Sequence, residues 1–189
     1  MPTEVLSAVN DFILTYVGNN EIPLLEQPQV VIGWQNVVSA LPAKSQEYAV
    51  LSFLGSVRHG TNVHGRVHAP GDTGLIDTVT RSAEQLVQAD FCSARPGRSE
   101  EYARTRAEIM EMLHRDRVSI DFYRKYNISS CYADNVVPLA FMNESEQWVA
   151  RYSVTLHLSI YSMTNVEIES FSDVGLYLEN VDVHHPIKR

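Results

Sequence analysis

His59, His64 and His68 fall in one segment at intervals of five and four residues. Clustered imidazoles are common ligands of zinc and iron, so a small metal-dependent enzyme built on this loop is one reading of the chain. The surroundings give it little support. The segment from His59 to Asp77 is rich in glycine, lacks the helical pattern that would bring positions i and i+4 together, and offers no carboxylate arrangement for an outer shell. Solvated loop histidines are the expectation. His184 and His185 precede Pro186, where a metal contact would be adventitious, and His157 lies on the polar side of an alternating strand, as a surface or interface residue would.

Nucleophilic catalysis would need a serine or cysteine on a sharp turn near a histidine and a carboxylate. No GxSxG elbow occurs, and Ser52, Ser93 and Ser130 lie in strands or at strand ends. Cys92 and Cys131 form no CxxC pair, which points to neither a disulfide framework nor a zinc site; both are expected as reduced thiols in or near the core. GTNVHG (Gly60 to Gly65) lacks the Lys-Ser/Thr ending of a phosphate loop, and nothing matches GxGxxG. Carboxylate pairs such as Glu100 with Glu101, Glu108 with Glu111 and Asp173 with Glu179 read as charged surface. On the middle helix Glu101, Arg104, Glu108 and Arg115 alternate in sign, the composition of a solvated or subunit-facing flank. Phe12, Tyr16, Trp34, Phe53, Tyr102, Trp148 and Tyr152 fall where a core would want them. No catalytic, cofactor-binding or metal residue is assigned, no cofactor is expected, and the chain is expected not to be an enzyme.

Positioning begins with size and charge. The chain has 189 residues, of which 44% are hydrophobic and 20% charged, enough for one folded domain with its own core. Fifteen basic against 23 acidic residues give a net charge of -8, which argues against a nucleic-acid binder held by phosphate contacts. An acidic surface remains compatible with DNA that must pass without sticking. No apolar run approaches the roughly 18 residues of a membrane span, and Glu4, Asn10 and Asp11 interrupt the N-terminus where a signal peptide needs an apolar core. A soluble, unexported chain with no membrane contact is the expectation.

Val5, Leu6, Val9, Phe12, Ile13, Tyr16 and Val17 trace one face of an N-terminal helix, with Thr3 as its cap and Gly18 as its stop. Pro23 and Pro28 then leave Gln29 to Trp34 as a short strand. Glu47 to Arg58 has apolar residues running together, which predicts a strand covered on both faces. His59 to Asp77 reads as a loop or mobile hairpin tip, and Thr78 to Cys92 as a long strand returning antiparallel to Glu47–Arg58. A helix follows from Ser99, its cap, to about His114 along Tyr102, Ala103, Ala107, Met110 and Leu113, with a second short one over Val118 to Tyr126. Ser130 to Phe141, with Pro138 inside, reads as an irregular edge strand. Arg151 to Ser162 alternates strictly, with Tyr152, Val154, Leu156, Leu158 and Ile160 on a buried face and the opposite face wet. The tail from Val166 is expected to dock briefly and then fray, over about 180–189. The fold class is α+β: a largely antiparallel or mixed sheet with two main helices packed on one face and a long projecting hairpin over about 47–92, all within one domain, 1–189.

The chain resembles the tail-terminator (neck-terminator) proteins of long-tailed phages. The resemblance rests on the N-terminal amphipathic helix, on VVIGWQNVVSALPAKSQEYAVLSFLGSVRHGT (Val30 to Thr61), on QLVQADFCSARPGRSEEYARTRAEIMEML (Gln85 to Leu113), and on RYSVTLHLSIY (Arg151 to Tyr161) with its tail. It implies a structural virion protein: a ring, typically of six copies, at the head-proximal end of the tail tube. Such a ring ends tube polymerisation and joins the tail to the head connector and neck proteins, with the tail sheath as a further neighbour and DNA passing through the lumen. Assembly would take place in the host cytoplasm. Six copies would bring about -48 charges to such a ring. His59, Asn62, His64, Arg66, His68, Asp72 and Asp77, on the projecting tip, are the candidate contacts to a neighbouring subunit or partner. A tube protein and a head-side adaptor are the neighbouring alternatives.

Overall fold

A strand of 21 residues, β8 (Trp148–Ile168), forms the spine of the sheet. In the computed structural model, which describes residues 2–17, 29–33, 47–68, 75–93, 99–142 and 148–168, it pairs antiparallel with β4 (Leu75–Ser93) along almost its whole length, from Leu75 opposite Ile168 to Ser93 opposite Ala150. β2 (Glu47–Arg58) lines the other edge of β4, antiparallel, and β1 (Gln29–Ile32) pairs parallel with β2. β5 (Ile128–Ala133) covers the far edge of β8. The order is β1-β2-β4-β8-β5, with β3 (Val63–His68) on β4, and β6 (Val137–Pro138) and β7 (Phe141–Met142) on β8. This is the expected α+β sheet, mixed through one parallel pair.

Period-two alternation decides which face takes the helices. Tyr152, Val154, Leu156 and Leu158 of β8 lie opposite Phe91, Ala89, Val87 and Gln85 of β4. Ala49 and Leu51 of β2 extend the same row, and all of these residues are buried. Onto this face pack α1 (Pro2–Phe12), which runs on as a π-helical turn over Ile13–Val17, α2 (Ser99–His114) and α3 (Arg117–Tyr123). α1 contributes Val5, Val9 and Phe12, and α2 contributes Ala103, Ala107 and Met110. Phe12 centres an aromatic nucleus, stacked on Tyr123 at 5.1 Å and edge-on to Phe122 at 5.3 Å. Asp116 caps α3, its carboxylate accepting from the Val118 N–H at 3.0 Å. A 3-10 turn over Arg124–Tyr126 ends at Asn127, whose φ of 55° is one that asparagine tolerates.

β2 is covered on both faces in its first half, as its unbroken apolar run implies. Behind the sheet Tyr48, Cys92 and Val149 form a second small core with Val50 and Phe141.

Several expectations need correction. Thr3 lies inside α1, which opens at Pro2, a residue suited to the first helical position because its missing N–H would have no partner there. His59 to Asp77 is not all loop, since Val63–His68 is a strand and β4 begins at Leu75. β8 extends at both ends beyond Arg151–Ser162 and takes in Val166, the start of the expected tail. Cys131 is exposed while Cys92 is buried, and Trp148 is 67% exposed. The polar face of β8 is not wet throughout: Ser153 and His157 are buried. Gly18, Trp34, Asp72 and residues 180–189 lie outside the described residues.

Candidate functional site

The residues singled out as contacts sit on an arm. Past Ala83 the sheet loses β5, whose pairing with β8 stops at Ile160, and continues as three strands only. β3 pairs with β4 on one side, from Val63 opposite Thr80 to His68 opposite Leu75, and the last part of β8 pairs on the other. β2 and β3 thus lie end to end on the same edge of β4. Between them Gly60 takes φ 72°, a conformation in which glycine carries no Cβ penalty, and Arg58 Nη2 donates to Asn62 Oδ1 at 2.8 Å across the break. The sequence reads as a loop here because glycine and histidine dilute the pattern Val63, Gly65, Val67. Pairing along β4 makes it a strand, as propensity alone would not.

The histidines part company. His64 Nδ1 lies 2.9 Å from Asp77 Oδ2, on a carboxylate that is nearly covered, and Asp77 Oδ1 has no hydrogen-bond partner among the described residues. His59 lies at the arm's root instead, its Nε2 2.5 Å from Glu84 Oε2. The other oxygen of Glu84 pairs with Nδ1 of His157 from β8. His157 in turn stacks on Tyr132 at 3.9 Å, and its Nε2 faces Asp134 Oδ1 at 3.4 Å. Hydrogen bonding from His157, with help from His59, holds the Glu84 carboxyl below its ordinary range. One carboxylate therefore clasps β4, β8 and the residue that follows β2 where the arm leaves the body. Arg66 is exposed on β3, opposite Asp77 in register. His68 closes β3 opposite Leu75, and its side chain, like all of Asp72, lies outside the described residues. His59 and His64 thus serve different carboxylates, and no group of three metal-ligating side chains is assembled among the described residues.

Sequence reading missed Glu84, Tyr132 and Asp134. Glu84 and His157 each occupy the polar phase of a long strand, and that signal was visible. Their meeting depends on a register 73 residues apart in sequence, which local pattern does not carry.

The arm has two unlike faces. Val63 and Val67 of β3 and Tyr161 and Met163 of β8 stand on one of them at 63–69% exposure, with Val63, Thr80 and Met163 in one row across the strands. The opposite face carries His64 and Arg66, with Arg81 on β4 also exposed. From Arg58 to Ser82 the sequence has three arginines and three histidines against two aspartates, within a chain of net charge -8.

Behind the sheet, a cavity of about 290 Å³ is lined by residues that include Tyr48, Asp90, Cys92 and Arg151. Arg151 Nη2 donates to Asp90 Oδ2 at 2.7 Å, and Gln88 Nε2 donates to the same carboxylate. Burial pushes the Cys92 thiol up to about 12, so at neutral pH it is protonated and a poor nucleophile.

A family model described as phage neck terminator protein matches residues 4–181. No curated protein matches the chain.

Proposed function

The chain belongs to the phage neck terminator family, a family of structural neck proteins of the virion, and on that premise we propose that it acts as a ring at the head-proximal end of the tail tube. Six copies, each a single domain, close the ring. It occupies the growing end of the tube, presents a different upper surface to the head connector, and so ends polymerisation without making or breaking a bond. The tail sheath, where there is one, is a further neighbour. Assembly takes place in the host cytoplasm, and DNA slides through a lumen kept acidic by the chain's negative balance.

The observation that carries this reading is the arm. A three-stranded extension leaves an apolar face uncovered, and its outer edges, on β3 and on β8 past Tyr161, meet no partner strand among the described residues. Open edges and exposed apolar rows are the usual preparation for contact with a neighbour. Asn62, His64 and Arg66 are then contact residues, together with His68 and Asp72, while Asp77 acts by holding His64 and His59 by holding the root.

Negative-stain images of the purified full-length chain test the proposal. Isolated closed rings are expected. Long stacked tubes would make it a tube protein, and particles that stay monomeric at high concentration would end the ring reading.

A further inference from the structure

We propose that the helix-side face of the arm is a phosphate-contact face for duplex DNA, engaged without regard to base sequence; this goes beyond the ring reading and does not depend on it. Strand register sorts the arm's side chains by face. Arg58 lies opposite Ala83, and Ala83 is buried on the side where the helices pack. Arg81 stands two positions away on β4, His64 lies opposite Val79 and Arg66 opposite Asp77, so all four share that side. Their levels on β4 are residues 83, 81, 79 and 77. Those are steps of about 7 Å in a line about 20 Å long at strand rise. All four are exposed.

Charge selects the occupant. Among the described residues the one carboxylate on this face of the arm is Asp77, which is buried and held through Oδ2 by His64. Glu84 stands on the other face, with His157. Glu4 of α1 shares a groove with Ile128 and Ile160 on the β5 side of the root, with β4 between them and Arg58. The negative balance of the whole chain therefore does not extend to this face. Guanidinium forks in an even row suit a phosphate backbone, because each fork offers parallel N–H donors to one phosphate. A protein partner would want a desolvated apolar centre. The arm's apolar row, Val63, Val67 and Met163, stands on the other face, and Val166 is the one large apolar side chain exposed on this one among the described residues. Contacts confined to phosphates carry no sequence information and let a protein slide along DNA.

Fluorescence anisotropy of the full-length chain with two labelled duplexes of unrelated sequence, from about 50 to about 200 mM salt, provides the test. Both duplexes should bind alike. With three arginines engaged, log affinity should fall against log salt with a slope of about -2.7 per subunit, a loss of about 40-fold over that range. Arg66→Gln with Arg81→Gln should remove about two-thirds of the slope. Arg104→Gln with Arg117→Gln, which takes the same charge from α2 and α3, should keep it. All four of these positions are exposed, so melting temperatures within a few degrees of wild type confirm that both variants fold. No binding at the lowest salt, an unchanged slope in the arm variant, or an equal loss in the helix variant would overturn the assignment. Capture of polyglutamate in place of the duplex would overturn it too, giving the face to an acidic protein. None of these outcomes bears on ring closure, which the images test separately.

Discussion

Arg106 of α2 donates through Nε to Glu47 Oε2 of β2 at 2.8 Å, with both side chains at most 4% exposed. A second donation, Nη1 to the Val17 carbonyl at 2.7 Å, ties the same guanidinium to the end of the N-terminal helical segment. Three elements far apart in sequence are locked by one buried cation. Arg106 falls between Ala103 and Ala107 on the buried side of α2, and the sequence analysis singled out neither it nor its partner.

The pair should be fragile to single changes. Glu47→Ala strands a buried guanidinium and should cost about 3–5 kcal/mol. Glu47→Leu combined with Arg106→Met removes both charges and should recover much of that loss. Urea unfolding midpoints of the three proteins measure it, and a double variant no better than the single would show that the hydrogen bond to Val17, not the ion pair, dominates.

His114 sets a pH dependence. Its ring is buried, edge-on to Tyr123 at 5.6 Å, and burial pulls its pKa down to about 4. In the unfolded chain an ordinary histidine takes up its proton near pH 6.5. Between those values the unfolded state binds more protons, so the stability contribution is complete above about pH 6.5 and is lost as pH falls toward 4. Unfolding free energy should drop by about 2 kcal/mol from pH 7.5 to pH 5 on this account. His114→Phe, which keeps a ring against Tyr123, should flatten that part of the curve; an unchanged slope would remove His114 as its source.

The Glu84 clasp predicts a graded pair of variants. Glu84→Ala leaves His59 and the buried His157 without their shared acceptor and should cost about 1–3 kcal/mol. The backbone amides of Val63–Val67 should then exchange faster with deuterium, while those of α2 stay protected. Glu84→Gln keeps one acceptor and one donor, which a change of imidazole tautomer can match, so its effect should be smaller. Equal exchange in the arm for all three proteins would mean that strand pairing alone holds its root.

Much of the fold lay in local pattern. The apolar faces of α1 and α2 and the alternation of β8 each appear within a single segment, because helix and strand periods of 3.6 and 2 repeat over neighbouring residues. Cys131 and Trp148 show where that reasoning ends. Residue type favoured burial for both, yet both are exposed, because strand position decided whether other elements covered them. The family resemblance was likewise legible, since it rested on segments spread over most of the chain.

The arm belongs to the tertiary structure. Residues 59–77 look like a loop by composition, and six of them become β3 because β4 supplies a ladder to pair with; β8 runs past Ser162 for the same reason. Glu84 finds His157, and Glu47 finds Arg106, across 73 and 59 positions. Local pattern marked the helices of the body and most of its strands, together with their apolar faces, but not β3 or the far reach of β8. Only the folded sheet decided which side chains meet, because register between distant strands is fixed by the sum of all their pairings and by no residue alone.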